Sequence, residues 1–273
     1  MEPLVVPLDN EKLIVGCAES SFLLPENNLR IIVRECAALS SATEIRTLNK
    51  DEIHLWHAEV SDKFTQHRLL SEDEIARMLR FHFEKDRQNF IFCRSMLRVL
   101  LASYLGNSPA ELCFAYSAQG KPALAFPSSG LEFNLSHSNG NFLAAITSSR
   151  KIGADIEFVK RDLNVLQIAQ RFFSVAENQA IQALPDTLQH EAFFSCWTRK
   201  EAFVKARGEG LSCPLDSFDV SVMPDQEIVS LATRPDNSEA DRWTLLSLNC
   251  FSGFKAAVAV ESKDVGQCHP EQP

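Results

Sequence analysis

One order of elements, met twice, constrains this chain more than any other feature. Apolar spacing and turn signals predict a strand over residues 53–60, a helix following Ser71 to about Phe83, a second helix over 86–105, and strands over 112–116, 131–135 and 142–147. The order then recurs. A strand over 151–157 precedes helices over 165–171, 175–184 and 188–207, and strands over 218–223, 227–231, 243–248 and 254–260. No sequence repeat accompanies it. A repeated strand–helices–strands order implies an α+β protein of two similar lobes with a cleft between them. The boundaries that follow are an N-terminal lobe over 51–148, a C-terminal lobe over 149–262 and a tail over 263–273. Residues 1–50 read as an N-terminal extension of uncertain order. Pro3, Pro7, Pro25 and Asn27-Asn28 interrupt its apolar runs, and only 29–33 has the look of a strand.

Composition narrows the class. Of 273 residues, 45% are hydrophobic and 23% charged, as in ordinary globular proteins. No apolar run approaches the roughly 18–20 residues of a membrane helix, and no basic stretch precedes an apolar one as in a secretory signal. A formal net charge of −9 argues against a nucleic-acid binder. None of the eight cysteines forms a C-x-x-C pair, so they are expected to be reduced, mostly buried thiols of a cytoplasmic protein.

The sharpest local pattern is Lys151-Ile152-Gly153-Ala154-Asp155-Ile156-Glu157. On a strand, Ile152, Ala154 and Ile156 face one way, toward a core, and Asp155 and Glu157 share the other face. Two carboxylates side by side repel unless a cation lies between them. A hard divalent ion such as Mg²⁺ suits that role; a solvated strand face suits the same pair without one.

The stretch 191–207 reads as one strong helix, stopped by Gly208. Phe193, Trp197, Glu201 and Lys205 recur every four residues along one side. Glu201 fits a further metal ligand or a base, and Lys205 a group that neutralises phosphate or protonates a leaving group. The same two residues also fit an ordinary surface ion pair. His137, in Asn134-Leu135-Ser136-His137-Ser138, leaves a strand where it could meet a phosphate with Ser136, and Lys121 sits on the Gly120-Lys121-Pro122 turn. Ser174 and Glu177 match a helix capping box, which favours a structural role for Glu177. Arg77 taken alone reads as solvated.

Taken together and in order, these motifs resemble the Sfp-type 4′-phosphopantetheinyl transferases. The resemblance runs through Gly120-Lys121-Pro122, the segment from Phe133 to Ser138, the segment from Ile152 to Glu157, Arg171-Phe172-Phe173-Ser174 with Glu177, and the segment from Trp197 to Lys205 followed by Gly208, Gly210-Leu211 and Pro214-Leu215. It covers about residues 53–260. It implies two pseudosymmetric lobes, each with a small antiparallel sheet and packed helices, and coenzyme A bound between them. It implies Mg²⁺ held by Asp155, Glu157 and Glu201. It also implies coenzyme A phosphates met by Arg77, Lys121, Ser136, His137 and Lys205, with Glu201 and Lys205 carrying catalysis. Glu74 stands where some relatives carry a basic residue. The implied partner is an apo acyl or peptidyl carrier protein of fatty-acid, polyketide or peptide-synthetase type. The implied enzyme is a cytoplasmic monomer with no nucleic-acid or membrane partner. The alternative is a coenzyme A or carrier-protein binding module without transferase activity, which intact Asp155, Glu201 and Lys205 disfavour. An acidic carrier would have to dock through apolar contacts or a local basic patch, for which Arg94, Arg98 and Lys160-Arg161 are candidates.

Overall fold

A computed structural model of the chain describes residues 19–24, 29–36, 45–60, 67–249 and 251–262. The 263–273 tail and residues 1–18 lie outside the described residues, as do Cys17, Cys250 and Cys268.

Strand β1 (Glu19–Leu24) pairs antiparallel with β2 (Leu29–Glu35), and β2 runs parallel to β3 (Glu52–Glu59). Helices α1 (Glu72–Met78) and α2 (Glu84–Leu105) follow, then the hairpin of β4 (Cys113–Tyr116) and β5 (Pro122–Phe126). β6 (Leu131–Ser138) and β7 (Asn141–Ser148) complete a five-stranded sheet ordered β1-β2-β3-β7-β6. Residues 19–24 and 29–35 fall within the extension expected at the N-terminus, where 29–33 has the look of a strand. They supply two strands, one of them the sheet's parallel member. Leu24, Leu29, Ile31 and Val33 all enter a core.

The second half opens with β8 (Ile152–Phe158) and continues with α3 (Val165–Phe172), α4 (Val175–Gln182) and α5 (Asp186–Arg207). After β9 (Phe218–Val220), β10 (Leu231–Thr233) and α6 (Ser238–Asp241), strands β11 (Trp243–Leu248) and β12 (Phe254–Glu261) join β8 in an antiparallel sheet ordered β11-β12-β8. The strand expected over 227–231 is reduced to a single bridge between Ile228 and Leu246, because β10 begins only at Leu231. The helix expected to reach Phe83 stops at Met78, and Phe83 caps α2 in an extended conformation. β5 grows from what the sequence marks as a turn.

The two sheets stack face to face. Leu29, Ile31, Ile53, Leu55, Leu143 and Ala145 of the first meet Ile152, Ala154, Ile156, Val258 and Val260 of the second in one core. The opposite face of the first sheet packs on α2 through Trp56, Phe142, Ala144 and Ile146. The opposite face of the second packs on α5 through Ala257 and Ala259. The lobes therefore share a helix–sheet–sheet–helix stack, a fourfold layering in which a two-sided buried strand such as β8 is natural. Among the described residues no helix is long and apolar enough to cross a membrane. The described cysteines Cys36, Cys93, Cys113, Cys196 and Cys213 are all free, and all but Cys113 are buried.

Candidate functional site

The site is built where β8 lies against α5. A Cβ placed on Gly153 would fall 2.1 Å from the carbonyl oxygen of Ala202 and 2.3 Å from the amide nitrogen of Ala206, so strand and helix backbones touch here. Gly153, Asp155 and Glu157 share the face of β8 toward α5, and this contact sets the two carboxylates beside the last turns of the helix. Two buried ties hold α5 in place. Lys200, fully enclosed, pairs with Glu177 at 2.7 Å and donates to the carbonyls of Leu215 and Phe218 at 2.6 Å each. Glu177 also caps α4 through Ser174 and accepts from the amide of Val220 at 2.9 Å. Its role is structural, as the capping pattern indicates. Arg199 clamps the opposite flank, donating to Ser247 Oγ and to the carbonyls of Ser221, Met223 and Gln226.

Lys205 Nζ donates to Asp155 Oδ1 at 2.6 Å, to Ser136 Oγ at 3.1 Å and to the carbonyl of Ala154 at 3.3 Å. Ser136 Oγ in turn donates to Asp155 Oδ1 at 2.8 Å, and Ser138 Oγ donates to Glu157 Oε2 at 2.7 Å. The carboxyl of Glu201 is pushed above the ordinary glutamate value by burial and by the charges of Asp155 and Glu157, against which Lys205 works. Glu157 rises for the same reasons, burial first and the Asp155 charge after it, with the Ser138 hydrogen bond opposing. Asp155, Glu157, Glu201, Lys205 and Ser136, all singled out in the sequence, thus share one electrostatic neighbourhood.

Among the described residues no three His, Cys, Asp or Glu side chains gather closely enough to hold one ion. The Lys205 ammonium is the positive group on Asp155. Even so, the donor set fits a hard divalent cation. Asp155 Oδ2 is buried without a hydrogen-bond partner, and the neighbouring carboxyls of Glu157 and Glu201 are raised first by burial and then by the Asp155 charge they share. All the candidate donors are carboxylate oxygens, the chemistry Mg²⁺ prefers.

Beside the carboxylates opens a cavity of about 270 Å³ lined by Arg94, Lys121, Pro122, Lys205, Gly208 and Gly210 among others, with no acidic residue in its wall. Three cations and no anion make it a receptor for negative charge. Lys121 commits two of its three donors to backbone, reaching the carbonyls of Lys205 at 2.7 Å and Ile152 at 3.2 Å. Burial and the Lys151 charge lower its pKa against the pull of Glu132. It therefore ties the β4–β5 turn to β8 and α5.

Arg94 and Arg98 are corrected as surface docking residues, since α2 buries both. Arg98 bonds Glu74 Oε2 at 2.8 Å and the carbonyls of Pro109 and Leu112. Arg94 lies over the rings of Tyr116 and Phe90 at 5.4 and 5.6 Å, lines the cavity, and leaves Nη1 without a partner. An arginine inside an otherwise apolar helical run was the signal for it. Glu74, buried against these arginines, does not face the cavity. Arg77 is exposed on α1 and sits 5.8 and 6.0 Å over the same Phe90 and Tyr116 rings. His137 lies on the face of β6 opposite Ser136 and reaches solvent; burial of its flanks and the Lys205 charge lower its pKa. Ser138 and Asn134, which the sequence reading passed over, contact β8 directly, Asn134 Oδ1 accepting from the amide of Ala154 at 2.9 Å.

Comparison with known proteins gives the same outline. The model of the 4′-phosphopantetheinyl transferase superfamily matches residues 151–259, and that of the 4′-phosphopantetheinyl transferase N-terminal region matches 54–150. The chain is 38% identical over 220 residues to 4′-phosphopantetheinyl transferase HetI of Nostoc sp., covering 78% of this chain and 90% of that one. It is 35% identical to a putative 4′-phosphopantetheinyl transferase of Synechocystis sp. over 66% of this chain and 72% of the other. It is 31% identical to 4′-phosphopantetheinyl transferase Sfp of Bacillus subtilis over 58% and 69% of the two chains. Two family matches meeting at the junction of β7 and β8, and a relative aligned over nine-tenths of its length, establish that this chain belongs to the 4′-phosphopantetheinyl transferase family.

Proposed function

We propose that the protein transfers the 4′-phosphopantetheine group of coenzyme A to a serine of an apo acyl or peptidyl carrier protein and releases 3′,5′-ADP. One observation carries the reading. Asp155, Glu157, Glu201 and Lys205 share one neighbourhood, beside a cavity walled by Arg94, Lys121 and Lys205 and free of acids. In the reaction the serine oxygen bonds to the β-phosphorus of coenzyme A, and the bond from that phosphorus to the oxygen bridging to the α-phosphate breaks. Glu201, its basicity raised by burial and neighbouring charge, takes the serine proton. Lys205 turns its ammonium from Asp155 to the departing α-phosphate and neutralises or protonates it. Arg94 and Lys121 hold anionic groups of coenzyme A, Arg77 adds positive charge, and His137, kept neutral by burial and the Lys205 charge, offers a ring N–H. Mg²⁺, held by Asp155, Glu157 and Glu201, would supply charge neutralisation at the pyrophosphate. With both lobes in one chain, the enzyme works as a monomer, in the cytoplasm where carrier and coenzyme A meet.

Intact mass spectrometry of an apo carrier protein incubated with the enzyme, coenzyme A and Mg²⁺ tests this. The expected result is a gain of one phosphopantetheine on a single serine. An unchanged carrier mass across fatty-acid, polyketide and peptidyl carriers would overturn the reading.

A further inference from the structure

The five-stranded sheet ends at β6 and the three-stranded sheet ends at β8, and no backbone ladder joins these edges. Side chains do so instead. Alternate residues of β6 point at β8: Asn134 accepts from the Ala154 amide, Ser136 donates to Asp155, and Ser138 donates to Glu157. Ser138 makes a second contact, its Oγ accepting from the amide of Phe158 at 3.2 Å. Its hydroxyl is thus fixed from both sides. The amide of Phe158 sets where the oxygen sits, and the one proton it carries is committed to Glu157 Oε2 at 2.7 Å. Ser138 itself is buried. Glu157 has a longer and freer side chain than Asp155, and without such a tie it would sample several rotamers on a half-open face.

We propose that Ser138 is a positioning residue for Glu157: by engaging Oε2 it locks the carboxyl and leaves Oε1 turned to the space shared with Asp155 and Glu201. The inference rests on the reading of those three acids as holders of a divalent cation. Hydrogen bonds of this kind to a ligating carboxylate fix its orientation, and their removal typically weakens metal affinity by about 10–100-fold.

The test is titration of the full-length protein with Mn²⁺, followed by the electron paramagnetic resonance signal of the free ion, with and without coenzyme A. Ser138→Ala should shift the Mn²⁺ midpoint upward by about 10-fold or more, and Ser138→Thr, which keeps the hydroxyl, should restore it to within about 3-fold of wild type. In a Glu157→Gln background, Ser138→Ala should add less than about 2-fold, because its effect passes through that carboxylate. A Ser138→Ala protein that melts earlier yet titrates as wild type would reduce the serine to a structural tie and overturn the proposal. Equal shifts in both backgrounds would overturn it too. If the alanine variant does not fold, Ser138→Cys, whose thiol is a weak donor, carries the same comparison. A wild-type protein that takes up no Mn²⁺ would sink the metal reading beneath it, and so is told apart from failure at Ser138.

Discussion

Gly153→Ala should disable this protein through a single added methyl group. Gly153 does not occupy the left-handed region, so the substitution brings no backbone strain of its own. Its whole effect is contact. The new Cβ would stand 2.1 Å from the carbonyl oxygen of Ala202 and 2.3 Å from the amide nitrogen of Ala206, both backbone atoms of α5 that no side-chain rotation can move. Relieving the contact requires β8 and α5 to part by about 1 Å, against a core that is close-packed on both sides of β8. Overpacking of this kind costs about 1–3 kcal/mol, which for a chain this size lowers the melting temperature by roughly 2–4 °C per kcal/mol. The larger effect falls on activity. The same separation carries Asp155 away from Lys205, now 2.6 Å apart, and a misplacement of about 1 Å at a reacting centre can cost about 100-fold in rate. Thermal melts and steady-state transfer of phosphopantetheine to an apo carrier measure the two effects. A Gly153→Ala protein with an unchanged melt and transfer within about 2-fold of wild type would refute the claim that this contact sets the site.

Other consequences can be checked alongside. Asp155→Ala and Glu201→Gln should each abolish transfer while circular dichroism stays native; normal turnover by Asp155→Ala would contradict the metal assignment. Lys205→Ala should lower kcat by about 10²-fold or more with a smaller change in coenzyme A affinity, and a large loss of affinity at unchanged kcat would contradict the leaving-group role. Lys200→Met leaves Glu177 buried and unpaired, and should cost about 3–5 kcal/mol in urea unfolding, with the Lys200→Met, Glu177→Gln double variant recovering part of it. Acid should destabilise the fold through His54, whose pKa falls from 6.5 to about 4, by burial and then by the Arg34 charge. The folded state therefore keeps the ring neutral, and its contribution is complete above about pH 6.5 and drains away toward pH 4. At 1.36 kcal/mol per unit that amounts to about 3 kcal/mol. Urea midpoints between pH 7.5 and 4.5 should show the fall, and His54→Gln should flatten it.

Much of the fold was legible because its elements declare themselves locally. Gly106 and Gly208 end α2 and α5 in left-handed caps, as their place after each apolar run implies, and alternation alone separates Ile152, Ala154 and Ile156 from Asp155 and Glu157. What escaped was what depends on a distant partner. β2 runs parallel to β3, and neither strand alone signals that pairing. Arg94 looks like a surface charge until Glu74, Phe90 and Tyr116 are folded around it. Lys121 reads as a turn lysine reaching for a ligand, yet its first partners are two carbonyls of the other lobe. Ser138 is one polar residue in a polar run until β8 comes alongside.

The net charge of −9 fails as a guide to the ligand for a related reason. Charge acts over about a Debye length, near 8–10 Å in physiological salt, so the pattern within the cleft outweighs the sum over the chain. Here that pattern is bipolar. Arg94 and Lys121 line the cavity wall, the carboxyls of Glu157 and Glu201 crowd Asp155, and Lys205 belongs to both groups because it pairs with Asp155 while facing the cavity. A ligand that is itself bipolar, a pyrophosphate carrying its own divalent cation, completes both halves at once. On the proposed reading, such a ligand would leave Lys205 free of Asp155 to meet the departing phosphate. A bare anion fills only the cavity, and a bare cation must displace Lys205 with nowhere to send it. Metal and coenzyme A should therefore each bind more tightly in the presence of the other, by the same factor in both directions. Calorimetric titrations that find the two affinities independent would show that Lys205 does not link them.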